Sequence, residues 1–291
     1  MDEPTAKPGP DAAIVTPTFR GDFERCSLLV ESVDRHVPRS VHHYLVVDRR
    51  DVPMFRPLAS ARTRLLVVED IIPWWIVRVP GVRRFWWSWR SRPIKNWILQ
   101  QIVKLSVPRV VDEETLFYVD SDVFFVDRFD PATLVKDGKM PLFSETGQAG
   151  KVAHNDPWHA VAARLLGLPV EKSYDTNFIG NIICWRRRTA IALTDHVSKV
   201  AGVHWVRAFA RHWRLSEYVL YGLYATRVSK DAAEAQYPDP VDRTLCHWDP
   251  TPMGREELER FRAQITAPRV AAMISAKSGT DMATIRRVFG Y

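Results

Sequence analysis

An apolar segment interrupted by two aspartates limits the possible folds of this chain more than any other feature. Residues 116–119 read Leu-Phe-Tyr-Val, a run typical of a buried strand, and a second apolar run occupies residues 123–126. Asp120, Ser121 and Asp122 stand between them. In an extended chain the side chains of residues i and i+2 point the same way, so both carboxylates can reach one cation. Because buried carboxylates are costly without a positive partner, the pair predicts a site for a hard divalent cation that keeps further positions open for phosphate oxygens. A solvated turn at the strand end is the alternative.

The composition is that of a folded domain that can accept an anionic partner. The chain has 291 residues, and 46% of them are hydrophobic, which is enough for a sizeable core. A formal net charge of +7 permits a nucleotide or a phospholipid surface as partner. The sequence has no RNA-binding signature and no periodic basic helix, so we expect no nucleic acid. Three widely spaced cysteines without a CxxC pair predict a reducing cytoplasm, and the sequence has no apolar run long enough to span a membrane.

Strand-like and helix-like segments alternate along the chain. Near the N-terminus, residues 23–37 have apolar positions at helical spacing between strand-like runs. Further strands are expected at residues 12–19, 44–48, 64–70, 140–145, 182–185 and 269–275, and further helices at residues 93–106, 154–168 and 216–225. This order predicts an α/β fold with a mainly parallel central sheet flanked by helices, in one domain over residues 12–291. A disordered leader is expected over residues 1–11.

Polar residues follow the first two predicted strands at the edge where α/β sheets bind ligands. The carboxyl ends of parallel strands border the ligand crevice of such folds. Thr16, Thr18 and Arg20 fall at the carboxyl end of the first strand, and Asp48 ends the second. These four residues are candidates for nucleotide contacts. The two threonines can instead cap the turn, and Asp48 can instead cap a helix.

Six tryptophans crowd residues 72–97 and alternate with arginines. They are Trp74, Trp75, Trp86, Trp87, Trp89 and Trp97. In one interpretation the rings belong to the core and the arginines stack on them. In the other, the stretch Trp74–Trp89 is an interfacial patch for an anionic membrane or a lipid-linked substrate. Both interpretations fit the sequence.

Cations cluster at the start of the helix predicted over residues 93–106. Arg90, Arg92 and Lys95 oppose the helix dipole there, which predicts a bound diphosphate at the same end. The alternative is that these long side chains reach into solvent. Lys104 of the same helix lies off its apolar face.

Two segments of the second half offer candidates for an acceptor site. Asp175, Asn177 and Asn181 are placed to bind hydroxyl groups, or else to bond their own backbone in turns. Glu217 is a candidate general base, although a carboxylate in a first helical turn also stabilises that helix.

The C-terminal part offers a further metal ligand and a phosphate contact. His247 follows an apolar pair and is a candidate third metal ligand, although a lone histidine is more often not a ligand. Lys277 follows the last predicted strand, where a lysine and backbone N–H groups can hold phosphate.

Together these motifs resemble the GT-A class of nucleotide-sugar glycosyltransferases. More narrowly, the chain resembles a bacterial group of uncharacterised glycosyltransferase-like proteins, the DUF6492 type. The resemblance spans about residues 12–285 and rests on TPTFR, VVD, VVED, YVDSDVFF and FIGNIICW in that order, with a first-turn Glu and a late His. It implies a single GT-A-like domain with a nucleotide-binding half over residues 12–125 and an acceptor-binding half over residues 126–291.

The same resemblance implies an activity and roles for individual residues. Such an enzyme uses Mn²⁺ or Mg²⁺ and transfers a sugar from a nucleotide-diphosphate donor, with a UDP-sugar favoured, to a hydroxyl of a glycan, glycolipid or natural product. Asp120 matches the residue that often contacts the ribose, Asp122 the direct metal ligand, and His247 the histidine that completes the metal site. Glu217 resembles the base of inverting members, although the preceding pair is Leu-Ser and not a further acid. The residues that match the nucleotide pocket are Thr16, Thr18, Arg20 and Asp48.

Two other classes of function use the same features. One is a Mg²⁺-dependent nucleotidyltransferase or phosphotransferase, which also needs paired aspartates and a phosphate contact such as Lys95 or Lys277. The other is a non-catalytic carbohydrate-binding or membrane-surface-binding protein that uses the tryptophan-rich stretch. The expected location is the cytoplasm, with a peripheral position at the inner membrane face as an option.

Overall fold

The computed structural model describes residues 11–79, 81–82, 85–151 and 156–291. The expected leader falls outside these residues except for Asp11, whose carbonyl oxygen accepts a hydrogen bond from the backbone N–H of Thr115 at 3.0 Å.

Strands and helices alternate over the described residues, as the sequence predicts. The strands are β1 Ala12–Pro17, β2 His42–Val47, β3 Thr63–Val67, β4 Ile76–Arg78, β5 Phe85–Ser88, β6 Ile94–Lys95, β7 Thr115–Val119, β8 Val123–Phe125, β9 Met140–Phe143, β10 Ile182–Arg186, β11 Gln236–Asp239, β12 Thr244–His247 and β13 Ala271–Ile274. The helices are α1 Phe23–His36, α2 Val52–Phe55, α3 Val68–Ile71, α4 Asn96–Ser106, α5 Asp156–Leu166, α6 Arg187–Ala201, α7 Trp205–Phe209, α8 Glu217–Arg227, α9 Lys230–Ala235, α10 Arg255–Ala263 and α11 Met282–Phe289.

The central sheet has the strand order β10-β7-β1-β2-β3, and only β10 runs antiparallel to its neighbour. Both faces of the sheet are covered. Ala13 and Val15 of β1 pack into one apolar core with α4, α6 and α8, while Ala12 and Ile14 pack into a second core with α1. Burial on both faces explains why these strands read as continuous apolar runs. The predicted α/β architecture with a mainly parallel sheet flanked by helices is confirmed.

The Asp-Ser-Asp turn joins the central sheet to a smaller one. Val15 of β1 pairs with Tyr118 of β7, so the carboxyl ends of these two strands lie side by side. After the turn, β8 pairs with β13, which also pairs with β12. The two aspartates therefore stand where two sheets meet, at the edge of the central sheet where ligands bind in α/β folds.

Some element boundaries differ from the predicted ones. The helix expected over residues 93–106 begins at Asn96, because Ile94 and Lys95 pair with β5 as an extra strand. The strand expected over residues 64–70 ends at Val67, and the next four residues form the short helix α3. The start of α4 and the end of β3 depend on contacts with residues distant in the sequence, so the local periodicity of apolar residues does not predict them.

No helix among the described residues has both the length and the apolar character that a bilayer span requires.

One glycine position is expected to be intolerant of substitution. A Cβ atom on Gly222 in α8 would lie 2.2 Å from Cγ of the buried Phe178 ring. Alanine normally favours a helix over glycine by about 1 kcal/mol, but displacing a packed ring costs more. Gly222→Ala is therefore expected to lower the free energy of unfolding by about 1–3 kcal/mol, measured by urea denaturation.

The ring of Phe178 supplies the control for this prediction. In a chain that carries Phe178→Ala, which removes Cγ and both Cδ atoms, the overlap is relieved, so adding Gly222→Ala there should cost little or nothing further. Native-like stability of Gly222→Ala alone would contradict the packing argument.

Candidate functional site

A cavity of about 500 Å³ opens beside the Asp-Ser-Asp turn, with Asp120 in its wall. The first two turns of α4, the start of α8, residues 179–181 before β10 and strand β12 form most of the remaining wall. Its size falls within the range of small-molecule sites in proteins, about 300–1,000 Å³.

Three carboxylates, those of Asp22, Asp120 and Asp122, lie close enough at the turn for their charges to act on one another. Ser121 Oγ donates a hydrogen bond to Oδ2 of Asp22 at 3.0 Å, which fixes Asp22 beside the pair. Burial, together with the charges of Asp120 and Asp22, raises the pKa of Asp122 to about 6, although the backbone N–H of Ala276 donates to its carboxylate. Burial likewise raises the pKa of Asp22. This concentration of negative charge is the condition that a bound cation would relieve. Nothing in the sequence points to Asp22, which lies far from the motif along the chain, in a 3₁₀ turn directly before α1.

The residues at the turn fit a divalent ion that is only partly coordinated by protein. Among the described residues, no three His, Cys, Asp or Glu side chains form a group that could hold a metal ion. Nε2 of His247 donates a hydrogen bond to the carbonyl oxygen of Thr251 at 3.1 Å. The role of His247 as a third ligand therefore stays a prediction. Asp120 and Asp122 would leave the other positions of Mg²⁺ or Mn²⁺ to water and substrate oxygens, as Mg²⁺ sites commonly do.

A buried lysine connects the aspartate turn to α8. Nζ of Lys104 lies 3.3 Å from Oδ1 of Asp120, 3.0 Å from Oε1 of Glu217 and 2.7 Å from the hydroxyl of Tyr218. Burial alone lowers the pKa of Lys104, but Asp120, Tyr218 and Glu217 outweigh that effect and raise the pKa well above its ordinary value. The sequence analysis placed Lys104 off the apolar face of its helix. The structure buries its side chain, because the lysine reaches these polar partners and not solvent.

Both explanations offered for Glu217 are compatible with its position. Ser216 is the N-cap of α8, and its hydroxyl accepts a hydrogen bond from the backbone N–H of Val219 at 3.4 Å. Glu217 thus occupies the first turn, where a carboxylate is favoured. It also lines the cavity, although its side chain is almost completely buried.

Thr16 in β1 and Thr18 directly after it have hydrogen-bond partners within the protein, Thr16 through its side chain and Thr18 through its backbone. Oγ1 of Thr16 lies 3.0 Å from Nε2 of His43, and both residues are fully buried. The backbone N–H of Thr18 donates to the carbonyl oxygen of Val46 at 2.9 Å. Thr16 therefore has a structural role, and its contact with a nucleotide stays a prediction.

The Thr16–His43 pair gives a pH-dependent prediction for stability. Burial and the charge of Arg62 lower the pKa of His43 to about 3. Below pH 6.5 the unfolded chain protonates this histidine and the folded chain does not, so stability falls as pH falls towards 3. Between pH 7 and pH 4.5 this loss amounts to about 2–3 kcal/mol. Asp122 acts in the opposite direction, because its raised pKa lets the folded chain take up a proton near pH 6.

Comparison with His43→Gln isolates the histidine contribution from that of Asp122. The Gln amide reaches about as far as Nε2, so it can keep a hydrogen bond to Thr16, but it does not titrate. Over the same pH interval the variant is expected to lose about 2–3 kcal/mol less of its unfolding free energy than the native protein, measured by urea denaturation. Parallel pH profiles for the two proteins would contradict the assignment.

Arg20 and Asp48 also have partners within the protein. The backbone N–H of Arg20 donates to Oδ2 of Asp51 at 3.1 Å, and the Arg20 side chain is largely exposed. Oδ2 of Asp48 lies 2.8 Å from Nη1 of Arg78. Burial raises the pKa of Asp48, while Arg78 lowers it. Asp48 is therefore engaged in an ion pair, and a contact with a base or ribose stays a prediction.

The cations before α4 do not meet the aspartate turn. The Arg90 guanidinium lies 5.2 Å from the ring centre of Trp74, and Nζ of Lys95 lies 3.5 Å from that of Trp213. Neither residue lines the cavity that contains Asp120. The structure therefore does not bring these two cations to the expected diphosphate position, because the extra strand β6 directs them to a surface of aromatic rings.

Lys277, in contrast, is close to the turn. It follows Ala276, whose backbone N–H donates to the Asp122 carboxylate, and its side chain is exposed. The backbone N–H of Lys277 donates to Oγ of Ser275 at 3.3 Å. A phosphate contact by Lys277 is consistent with this position.

Of the three acceptor candidates, Asn181 lines the cavity. Its Nδ2 donates to Sγ of Cys246 at 3.0 Å. The carboxylate of Asp175 accepts backbone N–H bonds, the shortest from Gly147 at 3.0 Å. Oδ1 of Asn177 accepts from the backbone N–H two residues on, at 3.0 Å. Asn177 thus holds its own turn, the alternative that the sequence left open, whereas the Asp175 carboxylate holds the loop that contains Gly147 and Ala149.

Aromatic rings border the cavity as well. Trp97 and Trp158 are stacked with ring centroids 6.3 Å apart, and Trp248 is exposed at the same cavity. Such flat rings can pack against the apolar face of a sugar. Trp158 and Trp248 carried no sequence signal, because only the packing of α5 and β12 around α4 brings them together.

Comparisons with known proteins identify the family of this chain but do not identify its activity. The model of a family of unknown function, DUF6492, matches residues 12–269. No curated protein matches the chain. Among solved structures, the galactosyltransferase LgtC in complex with donor and acceptor sugar analogs is 11% identical with a TM-score of 0.47, over 96% of this chain and 95% of that chain. An active-site mutant of LgtC is 12% identical with a TM-score of 0.49 over the same shares. Likeness at this level carries no argument about activity.

Proposed function

The chain belongs to the DUF6492 family, a family of unknown function, and from its site we propose that it is a metal-dependent glycosyltransferase. The donor is a nucleotide-diphosphate sugar, with a UDP-sugar favoured, and the acceptor is a hydroxyl of a glycan, glycolipid or natural product. The proposal includes a GT-A-like division into a nucleotide-binding half over residues 12–125 and an acceptor-binding half over residues 126–291. It also includes a cytoplasmic location with a sugar or lipid-linked acceptor at the inner membrane face.

One observation carries the proposal. The Asp120–Asp122 turn stands at the carboxyl end of a buried parallel strand, and a cavity of about 500 Å³ begins at Asp120. The raised pKa of Asp122 marks a negative charge that the protein does not neutralise. A cation that also binds a diphosphate would neutralise it, and the cavity beyond would hold a sugar.

The residues around the cavity can divide the chemistry of sugar transfer among them. Asp120 and Asp122 would hold Mn²⁺ or Mg²⁺, which when bound stabilises the negative charge of the leaving diphosphate. Lys277 stands next to this site and contributes a positive charge for the phosphates. Asn181 and the Trp97 ring bind the hydroxyls and the apolar face of a sugar.

Glu217 is the proton acceptor for a transfer with inversion. The acceptor oxygen forms its bond to the anomeric carbon while the bond from that carbon to the phosphate oxygen breaks. The electron pair of the broken bond leaves with the nucleoside diphosphate, and Glu217 takes the proton of the acceptor hydroxyl. Lys104 keeps the Glu217 carboxylate in place at 3.0 Å.

Nucleotide-dependent stabilisation tests the proposal before any acceptor is known. The protein is heated with UDP, GDP, CDP or TDP, each with and without Mn²⁺, and its melting temperature is recorded. One diphosphate should stabilise the protein when Mn²⁺ is present, by about 2.7 kcal/mol at 100 times its dissociation constant. Asp122→Asn should lose this response, while Asp127→Asn, which removes an exposed carboxylate after β8, should keep it.

Two outcomes would contradict the proposal. Stabilisation by a nucleoside triphosphate alone, with release of pyrophosphate or transfer of phosphate, would assign the site to a nucleotidyltransferase or phosphotransferase. No response to any nucleotide, together with glycan binding that survives Asp122→Asn, would assign it to a non-catalytic binding protein.

A further inference from the structure

We propose that the small sheet β4–β5–β6 docks the protein onto an anionic lipid bilayer beside the mouth of the cavity. The docking surface, called the Trp/Arg face below, consists of Trp74, Trp87, Trp89, Trp213, Arg90, Arg92, Lys95 and Arg207. The docking does not depend on the transfer reaction. Its consequence, that the acceptor is lipid-linked, rests on the function proposed above.

The tryptophans of this region divide into buried and exposed sets. In β5, Trp86 is buried, whereas Trp87 is 48% exposed on the opposite face. Trp89 is 64% exposed and Trp74 is 71% exposed, while its neighbour Trp75 is buried. The core therefore uses only part of the tryptophan-rich stretch. Tryptophans without a place in the core are typical of surfaces that lie at a membrane–water interface.

A buried serine fixes the outward loop after β5. Oγ of Ser88 accepts hydrogen bonds from the backbone N–H groups of Arg90 at 3.3 Å and Ser91 at 2.9 Å, and from the Ser91 hydroxyl at 2.7 Å. The loop is thus held in one conformation that points Trp89, Arg90 and Arg92 outward. A surface ordered in advance loses little conformational entropy on binding.

The charges of the Trp/Arg face are of one sign. Residues 71–111 and 196–216 contain no Asp or Glu. Arg90, Arg92 and Arg207 line a shallow depression. Among the described residues these three arginines form no ion pair, whereas many other surface arginines do. Unpaired cations around exposed rings match the phosphate groups and interfacial region of an anionic bilayer.

The Trp/Arg face adjoins the cavity in the chain and in space. Lys95 lies over Trp213, and two residues after Lys95 the exposed Trp97 lines the cavity. Trp213 is likewise followed closely by Ser216 and Glu217 in the cavity wall. A protein docked through this face brings the cavity mouth to the membrane surface. The substrate that suits this position is an acceptor sugar carried on a membrane lipid.

Sedimentation with lipid vesicles tests the docking. The full-length protein should bind vesicles of phosphatidylcholine with phosphatidylglycerol but not vesicles of phosphatidylcholine alone, and salt should weaken the binding. Trp74→Ser with Trp89→Ser should lower the partition coefficient about tenfold. Arg90→Gln with Arg92→Gln should lower it about tenfold or more.

Matched variants elsewhere separate docking from general effects of charge and hydrophobicity. Arg255→Gln with Arg260→Gln removes two exposed charges from α10, and Met54→Ser removes an exposed apolar side chain from α2, outside both the cavity and the Trp/Arg face. Both should bind vesicles as the native protein does. Equal losses in these controls, no binding to anionic vesicles, or binding of RNA or acidic peptides in place of vesicles would overturn the proposal.

The Asp122→Asn protein separates this proposal from the proposed function. It should bind anionic vesicles as tightly as the native protein, because Asp122 is not part of the Trp/Arg face. Vesicle binding without any nucleotide response would keep the docking and refute the transferase. A nucleotide response without vesicle binding would refute the docking and keep the transferase.

Discussion

Asp122→Asn is expected to abolish sugar transfer and at the same time to make the protein harder to unfold. The variant loses a ligand for the ion that stabilises the leaving diphosphate, so the transfer rate should fall about a thousandfold or more. Its stability should rise because the pKa of Asp122 is about 6 in the folded chain against 3.8 ordinarily. Above pH 6 the folded chain therefore carries a carboxylate that it disfavours, and a neutral amide removes that cost of about 1–3 kcal/mol.

The pH dependence of the stability gain shows whether the carboxylate is its cause. Urea denaturation without metal should show the full gain at pH 8, and the gain should largely vanish at pH 4, where the folded chain has already protonated Asp122. Transfer is measured with Mn²⁺ as release of nucleoside diphosphate. Asp127→Asn serves as the control for both measurements. A destabilised or fully active Asp122→Asn protein would show that Asp122 is not the strained carboxylate of a metal site.

The sequence was sufficient to locate this aspartate pair because the signal is local. An apolar run, two carboxylates at i and i+2 and a second apolar run lie within residues 116–126, and the structure forms strands on both sides of the turn. The mainly parallel sheet was predictable for a similar reason, since strands buried on both faces must read as apolar runs. The N-cap of α8 was predictable too, because serine directly before a helical segment is a typical N-cap and Ser216 stands there.

Features that depend on distant partners were beyond sequence reasoning. Lys104 and Tyr218 are 114 positions apart and form one hydrogen bond at 2.7 Å. Nothing near Lys104 in the sequence indicates that its helix position faces two carboxylates. Asp22 joins the turn only because β1 and β7 are neighbours in the sheet. Arg90 and Lys95 lie against Trp74 and Trp213, because β6 pairs with β5 before α4 begins, and helical spacing alone does not register that pairing.

Lys104 is the residue whose loss should affect the fold most. Lys104→Met keeps most of the hydrocarbon stem but leaves the buried Glu217 carboxylate without its cation and removes a partner of Asp120. Removing one member of a buried ion pair typically costs about 3–5 kcal/mol, because the other charge stays buried and unpaired. We expect a loss of that size in the free energy of unfolding at pH 8, measured by urea denaturation.

A double-mutant cycle tests whether the unpaired carboxylate is the cause. Glu217→Gln alone should cost about 1–2 kcal/mol, because Lys104 keeps Asp120 and the Tyr218 hydroxyl as partners. Lys104→Met with Glu217→Gln should then be more stable than Lys104→Met alone, with a coupling of about 2 kcal/mol between the two sites. Transfer should stay lost in the double variant, since Glu217→Gln removes the proton acceptor. If the losses of unfolding free energy in the two single variants simply add in the double variant, Lys104 stabilises the fold by packing alone. If the double variant is instead more stable than Lys104→Met but still lacks transfer activity, the role of Lys104 is to hold the Glu217 carboxylate in the cavity wall.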